Sequence, residues 1–176
     1  MKRVLCTVAA LMLATAVFAG TASDLTPQQT MEKVMNCPVC SAFSVDPALS
    51  PTLRCDTQPL KAGYVDVFTT SDEKMVASFD KAHADCESRC MAIPKMTADQ
   101  KAKLCDRCNA MTALMNRKDV TFEGGKTTMG WVQVAQASTP EGVKALHDYA
   151  AMSQAINAKL AQASMEMSKE PMKSKM

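Results

Sequence analysis

Gly63-Tyr64-Val65-Asp66-Val67 and Gly130-Trp131-Val132-Gln133-Val134 read as one strand written twice. In each, a glycine opens a run whose valines alternate with other residue types, the period of a strand with two different faces. Working outward, Leu53 to Thr57 and Val120 to Phe122 supply an earlier strand before each run. Pro59 to Gly63 and Gly124-Gly125 supply the turns between. From Leu53/Val120 onward the two halves hold a constant offset of 67, and helices follow at Ser71, Val76, Phe79 and at Ser138, Val143, Leu146. Upstream lie Cys37-Pro38-Val39-Cys40 and Cys105-Asp106-Arg107-Cys108, offset by 68. Thr26-Pro27-Gln28-Gln29 and Thr97-Ala98-Asp99-Gln100 are capping boxes that start a helix before each cysteine pair. Each half is thus α-β-β-α.

The fold expected is α+β: two αββα repeats, 26–93 and 97–163, forming a four-stranded antiparallel sheet with helices on one face. An isolated hairpin is only marginally stable, so pairing the two hairpins is the economical arrangement. Residues 23–163 make a single domain of two internal repeats, and 164–176 a disordered, Met- and Lys-rich tail. Residues 1–22 read as a signal peptide, with Lys2 and Arg3 before an apolar run from Val4 to Phe18. That run is short for a membrane span, so no membrane span is expected, and the protein is expected to be exported, periplasmic or secreted. Without Lys2 and Arg3 the basic residues fall from 20 to 18, matching 18 acidic ones. Such a balance gives no electrostatic footprint for nucleic acid.

Chemistry concentrates in the thiols. Of eight cysteines Cys6 leaves with the signal, and seven remain. Thiolates at i and i+3 share a helix face, so Cys37, Cys40, Cys105 and Cys108 can close a four-sulfur site for copper or zinc. Disulfides are the other ordinary fate of exported thiols, within each pair or crossing to Cys86 and Cys90. Cys86 and Cys90 themselves are further metal-ligand candidates. With His83 they lie on one face of a helix, a face that also serves as its core stripe. Cys55 matches Phe122 in the other half and is the candidate leftover thiol. Thirteen methionines remain after Met1 and Met12 are lost; those on helix stripes suit core packing, and Met165, Met167, Met172 and Met176 suit a soft cation.

Pro38 is expected to restart a helix at the first CxxC, whereas the second is expected inside a helix. The first pair should then hold the more acidic thiol. Catalytic signals are sparse: neither His83 nor His147 has a neighbouring nucleophile. A CxxC that follows a helix and precedes a hairpin differs from the thioredoxin arrangement.

Cys37-Pro38-Val39-Cys40, the proline-punctuated strand after it, the strand ending at Phe68 and the helix with Met75 and Phe79 resemble the NosL-type exported copper-accessory proteins. The resemblance implies Cu(I) binding by cysteine and methionine sulfur and delivery to a client metalloprotein, which in that family is nitrous oxide reductase. Ser41-Ala42 stand where the family has Gly-Met, and Met111 lies near the second pair. Three readings follow: a soft-metal binding protein with copper or zinc as cofactor, a disulfide-stabilised structural or interaction domain, and a thiol–disulfide exchange protein.

Overall fold

A computed structural model describes residues 24–169. The described residues form five α-helices and one antiparallel sheet: α1 Pro27–Met35, β1 Leu53–Leu60, β2 Gly63–Thr70, α2 Val76–Ala92, α3 Ala98–Ala102, α4 Asp106–Met115, β3 Val120–Thr127, β4 Gly130–Ala137 and α5 Pro140–Lys169. The strand order is β1-β2-β4-β3, so the two hairpins meet through β2 and β4. Asp66 pairs with Gln133, Val65 with Val134 and Val67 with Val132. Exchanging every residue for the one 67 positions away leaves this register unchanged. The helical parts are less alike: α2 has 17 residues and α5 has 30.

Both capping boxes form. Thr26 accepts from the Gln29 amide, Thr97 from the Gln100 amide, and each glutamine reaches back to its cap. Two of the orphan donors that every helix start carries are satisfied at each site. Among the described residues no helix is long and apolar enough to cross a membrane.

The glycines that open β2 and β4 are required by close approach. A Cβ on Gly63 would lie 1.8 Å from the Ala135 carbonyl oxygen, and one on Gly130 would lie 2.2 Å from that of Phe68. Backbone meets backbone at both ends of the β2–β4 joint.

All helices that contribute to the core pack on the sheet face carrying Tyr64, Phe68, Trp131 and Ala135, in agreement with the one-sided layer expected from the sequence. Under α5, Tyr64 stacks on Tyr149 at 4.9 Å, with Leu114, Ala135 and Leu146 buried around them. Under α2, Phe79 meets Phe68 edge-on at 5.2 Å beside Phe43, Leu49 and Trp131. The alternate residues Val65, Val67, Val132 and Val134 point to the other face and remain half-buried.

Helix α5 also secures the edge strand β1. The two-residue turn Lys61-Ala62 makes Leu60 and Gly63 the bonded closing pair, so Cys55 and Thr57 turn their carbonyls outward. Gln154 donates to the Thr57 carbonyl at 2.8 Å and Asn157 to that of Cys55 at 3.3 Å. The helix continues to Lys169, past the limit at Ala163 expected from the sequence. Ala163 is buried, Gln28 of α1 reaches Glu166, and Glu166 accepts from Gln162, so the added turns have partners that sequence periodicity does not show. Met172 and Met176, like the signal segment 1–22, lie outside the described residues.

At the start of α5, Asp119 accepts from Arg117 and from the Thr139 hydroxyl, while Thr139 caps the Gly142 amide at 3.0 Å. The Arg117 and Thr139 hydrogen bonds hold the Asp119 carboxyl at about 2. A carboxyl depressed on folding contributes stability above its unfolded value, lost as pH falls through the folded one. Acid titration should therefore show Asp119→Asn losing less stability than the parent between about pH 4 and pH 2. A Gly63→Ala or Gly130→Ala change should cost at least about 2 kcal/mol in urea unfolding, because the obstructing atoms are backbone.

Candidate metal centre

The two CxxC segments are folded alike at their first step. The Ser41 amide donates to the Cys37 carbonyl at 3.0 Å, and the Asn109 amide to the Cys105 carbonyl at 3.0 Å. Each CxxC therefore wraps one helical turn, which brings its two sulfurs to a common side. After that they diverge. The first runs into a 3₁₀ turn at Cys40–Ser44, and the second opens α4.

This corrects the expected positions. The second pair straddles a helix start: α3 ends at Ala102, Cys105 is the extended N-cap of α4, at φ −71° and ψ 164°, and Cys108 lies in the first turn of that helix, whereas Pro38 restarts no α-helix at the first pair. Leu104 is buried against the cysteines, and seating it there interrupts a stretch whose composition otherwise suits a continuous helix.

The four sulfurs converge. All lie within 4.8 Å of one another. Cys40 Sγ is 3.3 Å from Cys108 Sγ and 3.6 Å from Cys105 Sγ, and Cys37 Sγ is 3.6 Å from Cys108 Sγ. These contacts run between the motifs rather than within them. A disulfide needs about 2.05 Å between sulfurs, and all four cysteines are free. Tetrahedral coordination with metal–sulfur bonds of about 2.3 Å needs sulfurs about 3.8 Å apart. The donor set fits a soft or borderline cation such as zinc or copper after small side-chain adjustments. The arrangement is compatible with metal binding.

The surroundings suit thiolates held away from water. Cys37 and Cys105 are at most 1% exposed, Cys108 is 8% exposed, and Cys40 is half-buried. Val39, Ile93 and Leu104 form an apolar wall with Val34 and Met96. Within the cluster the thiols divide. Hydrogen bonding from Cys105, then Cys108 and Cys40, holds Cys37 far below the usual thiol range. Cys105 is held down by Cys108. Cys40 and Cys108 are pushed up, each first by its hydrogen bond with Cys105. Cys37 of the first motif and Cys105 of the second are thus both lowered, Cys37 the further of the two.

Three side chains that the sequence alone does not single out position the loops. Arg89 of α2 donates to the Pro38 carbonyl at 3.2 Å and to Ser41 Oγ at 3.0 Å, and it pairs with Asp85 at 2.6 Å. Lys33 of α1 meets Asp106 inside the second CxxC at 2.8 Å. Arg107, also inside that motif, turns inward; it donates to the Ser153 carbonyl at 3.1 Å and to Asn157, and lies 4.0 Å from Cys55 Sγ. Arg89 fastens the loop of the first motif, and the Arg107 charge reaches Cys40 as well as Cys55; groups behind the ligands commonly support a metal site in this way. Arg107 has a legible signal, its place between Cys105 and Cys108; Arg89 and Lys33 reach the site only through tertiary packing.

The remaining candidates separate. His83 stacks on Trp131 at 4.6 Å and faces Phe79, so it joins the aromatic core. Cys86 and Cys90, farther along α2, pack against the buried group that holds Cys37, Cys105 and Cys108 with Val39, Ile93 and Leu104. Burial pushes the Cys86 thiol up to about 12 and also raises Cys90. Cys55 sits under α5 beside Arg107, its thiol raised by burial.

No protein family, curated protein or solved structure matches the chain in sequence or fold comparisons.

Burial should govern alkylation of the reduced, metal-free protein. Peptide mapping should show Cys40 labelled before Cys37 and Cys105. Arg89→Met removes two hydrogen bonds from a charged donor, worth about 1.5 kcal/mol or more, and should speed Cys37 labelling by about tenfold. Unchanged labelling would assign Arg89 no part in holding the loop.

Proposed function

We propose that this chain is an exported binding protein for a thiophilic metal ion, copper or zinc, held by Cys37, Cys40, Cys105 and Cys108. The convergence of four free sulfurs within 4.8 Å carries the reading. Two motifs far apart in sequence meet with ligand spacing, in an apolar shell, under two positioning arginines. An ion bound there joins α1, α4 and the loop after α1, and its binding energy adds to the stability of the fold.

The leader-like segment 1–22 supports export, and the resemblance of Cys37 to Phe79 to the NosL-type proteins supports metal delivery to a client metalloprotein. For copper the thiolates supply the soft donors that Cu(I) prefers; for zinc they supply a closed four-sulfur site of the structural kind. Ligands must be deprotonated, so loading releases protons and weakens as pH falls.

A second reading draws on the cross-motif contacts. Oxidation would join Cys37 to Cys108 and Cys40 to Cys105, stapling the same two segments without metal. Thiol titration and elemental analysis of protein isolated from its own compartment decide between them. The metal reading expects about one equivalent of copper or zinc, lost in Cys37→Ser/Cys105→Ser together with several degrees of melting temperature. A denatured sample with only the thiols of Cys55, Cys86 and Cys90 free, and no bound metal, overturns it in favour of the staple.

A further inference from the structure

Helix α2 presents a second group of sulfurs outside the four-cysteine cluster. Cys86 and Cys90 stand one turn apart on the same helix face, where side chains four positions apart are neighbours about 5–6 Å apart at Cβ. Cys90 Sγ is 3.9 Å from the Met115 Sδ, at the end of α4. Met115 is 45% exposed and Cys90 half-buried, so this end of the group reaches the surface. Its other end abuts the cluster: Cys86 and Cys90 both pack against the buried group that holds Cys37, Cys105 and Cys108, and both interact electrostatically with Cys37. Two thiols and a thioether therefore run from solvent to the wall of the four-cysteine site.

We propose that Cys86, Cys90 and Met115 form a separate Cu(I) site, a surface port through which the ion enters or leaves the buried cluster. The inference rests on the metal-binding reading above and gives it a route and a metal preference. Two thiolates and a thioether make a low-coordinate, all-sulfur site of the kind that Cu(I) accepts, whereas zinc favours thiolate, imidazole and carboxylate donors over thioether. The port has three donors and one of them is a thioether, so it selects copper where the four-thiolate cluster accepts either metal.

Transfer is ligand exchange without redox change. Cu(I) binds as the Cys86 and Cys90 thiols release their protons to solvent. It then forms bonds to cluster sulfurs, which release their protons to solvent, as its bonds to Met115, Cys90 and Cys86 break, and the two port thiolates recover protons from solvent. Copper remains Cu(I) throughout. Met115 alone among the three donors needs no deprotonation, which suits it to first contact with an arriving ion.

The test is anaerobic titration of the reduced mature protein with Cu(I) supplied from a chromogenic chelator, with circular dichroism to establish that each variant is folded. The parent should bind about two equivalents, and Cys86→Ala/Cys90→Ala and Cys37→Ser/Cys105→Ser about one each. Met115→Leu, which keeps size and apolarity, should weaken the equivalent retained by Cys37→Ser/Cys105→Ser about tenfold and slow loading of the parent cluster. With Zn(II) as probe, the parent and Cys86→Ala/Cys90→Ala should both bind about one equivalent. Equal Cu(I) stoichiometry and loading rate in the parent and Cys86→Ala/Cys90→Ala overturn the port and leave the cluster standing. Cu(I) bound by Cys37→Ser/Cys105→Ser but not by Cys86→Ala/Cys90→Ala overturns the four-cysteine reading. No binding by the folded parent overturns both.

Discussion

The joint between β2 and β4 sets the distance between everything else. Two hairpins that would be marginal alone share one ladder, and they can do so because Gly63 and Gly130 leave room for the opposing carbonyls. Each hairpin carries helical segments at its flanks, so the register of this one strand pair also decides how near the two CxxC turns come. A slip of one residue would turn either Tyr64 and Phe68 or Trp131 and Ala135 to the wrong face and draw apart the elements beneath the cysteines. Sheet register and sulfur geometry are one constraint.

How much of this the chain declares depends on the range of the interaction. Local chemistry is legible: the capping boxes at Thr26 and Thr97, the glycine-opened strands and the one-sided helical layer all follow from short windows of residues. The meeting of Cys37 and Cys40 with Cys105 and Cys108 is legible as a possibility, because the motifs hold matching places in the two halves. The break between α3 and α4 is not. Lys101 to Leu104 carries no helix breaker, and the helix stops because burying Leu104 against the cysteines outweighs continuing it. The inward turn of Arg107 is hidden for a similar reason, since a guanidinium normally stays at the surface unless paired. Its acceptors, Asn157 and the Ser153 carbonyl, lie in α5, some fifty positions away in the chain.

Charge around the site has a consistent direction. Four thiols gathered in an apolar shell would be costly to ionise together, and a bound cation would offset that cost, with Arg107 adding its charge on the side of Cys40. Cys55 and Asp66 lie within the field of the same buried guanidinium. The stretch under α5 is therefore a polar seam connecting the sheet to the second CxxC. Asp66, at the centre of the β2–β4 joint, accepts from Thr57, and its carboxyl is raised by burial.

The amide groups of Gln154 and Asn157 have an effect beyond packing. By occupying the carbonyls of Cys55 and Thr57 they take two central acceptors from the outward row that another chain's strand would need. The sheet is therefore guarded at its β1 edge by its own longest helix, and β3 forms the other edge. Undocking α5 would bare the β1 edge together with Tyr64 and Leu146, so the same helix that completes the fold also keeps it from becoming a template for its own aggregation.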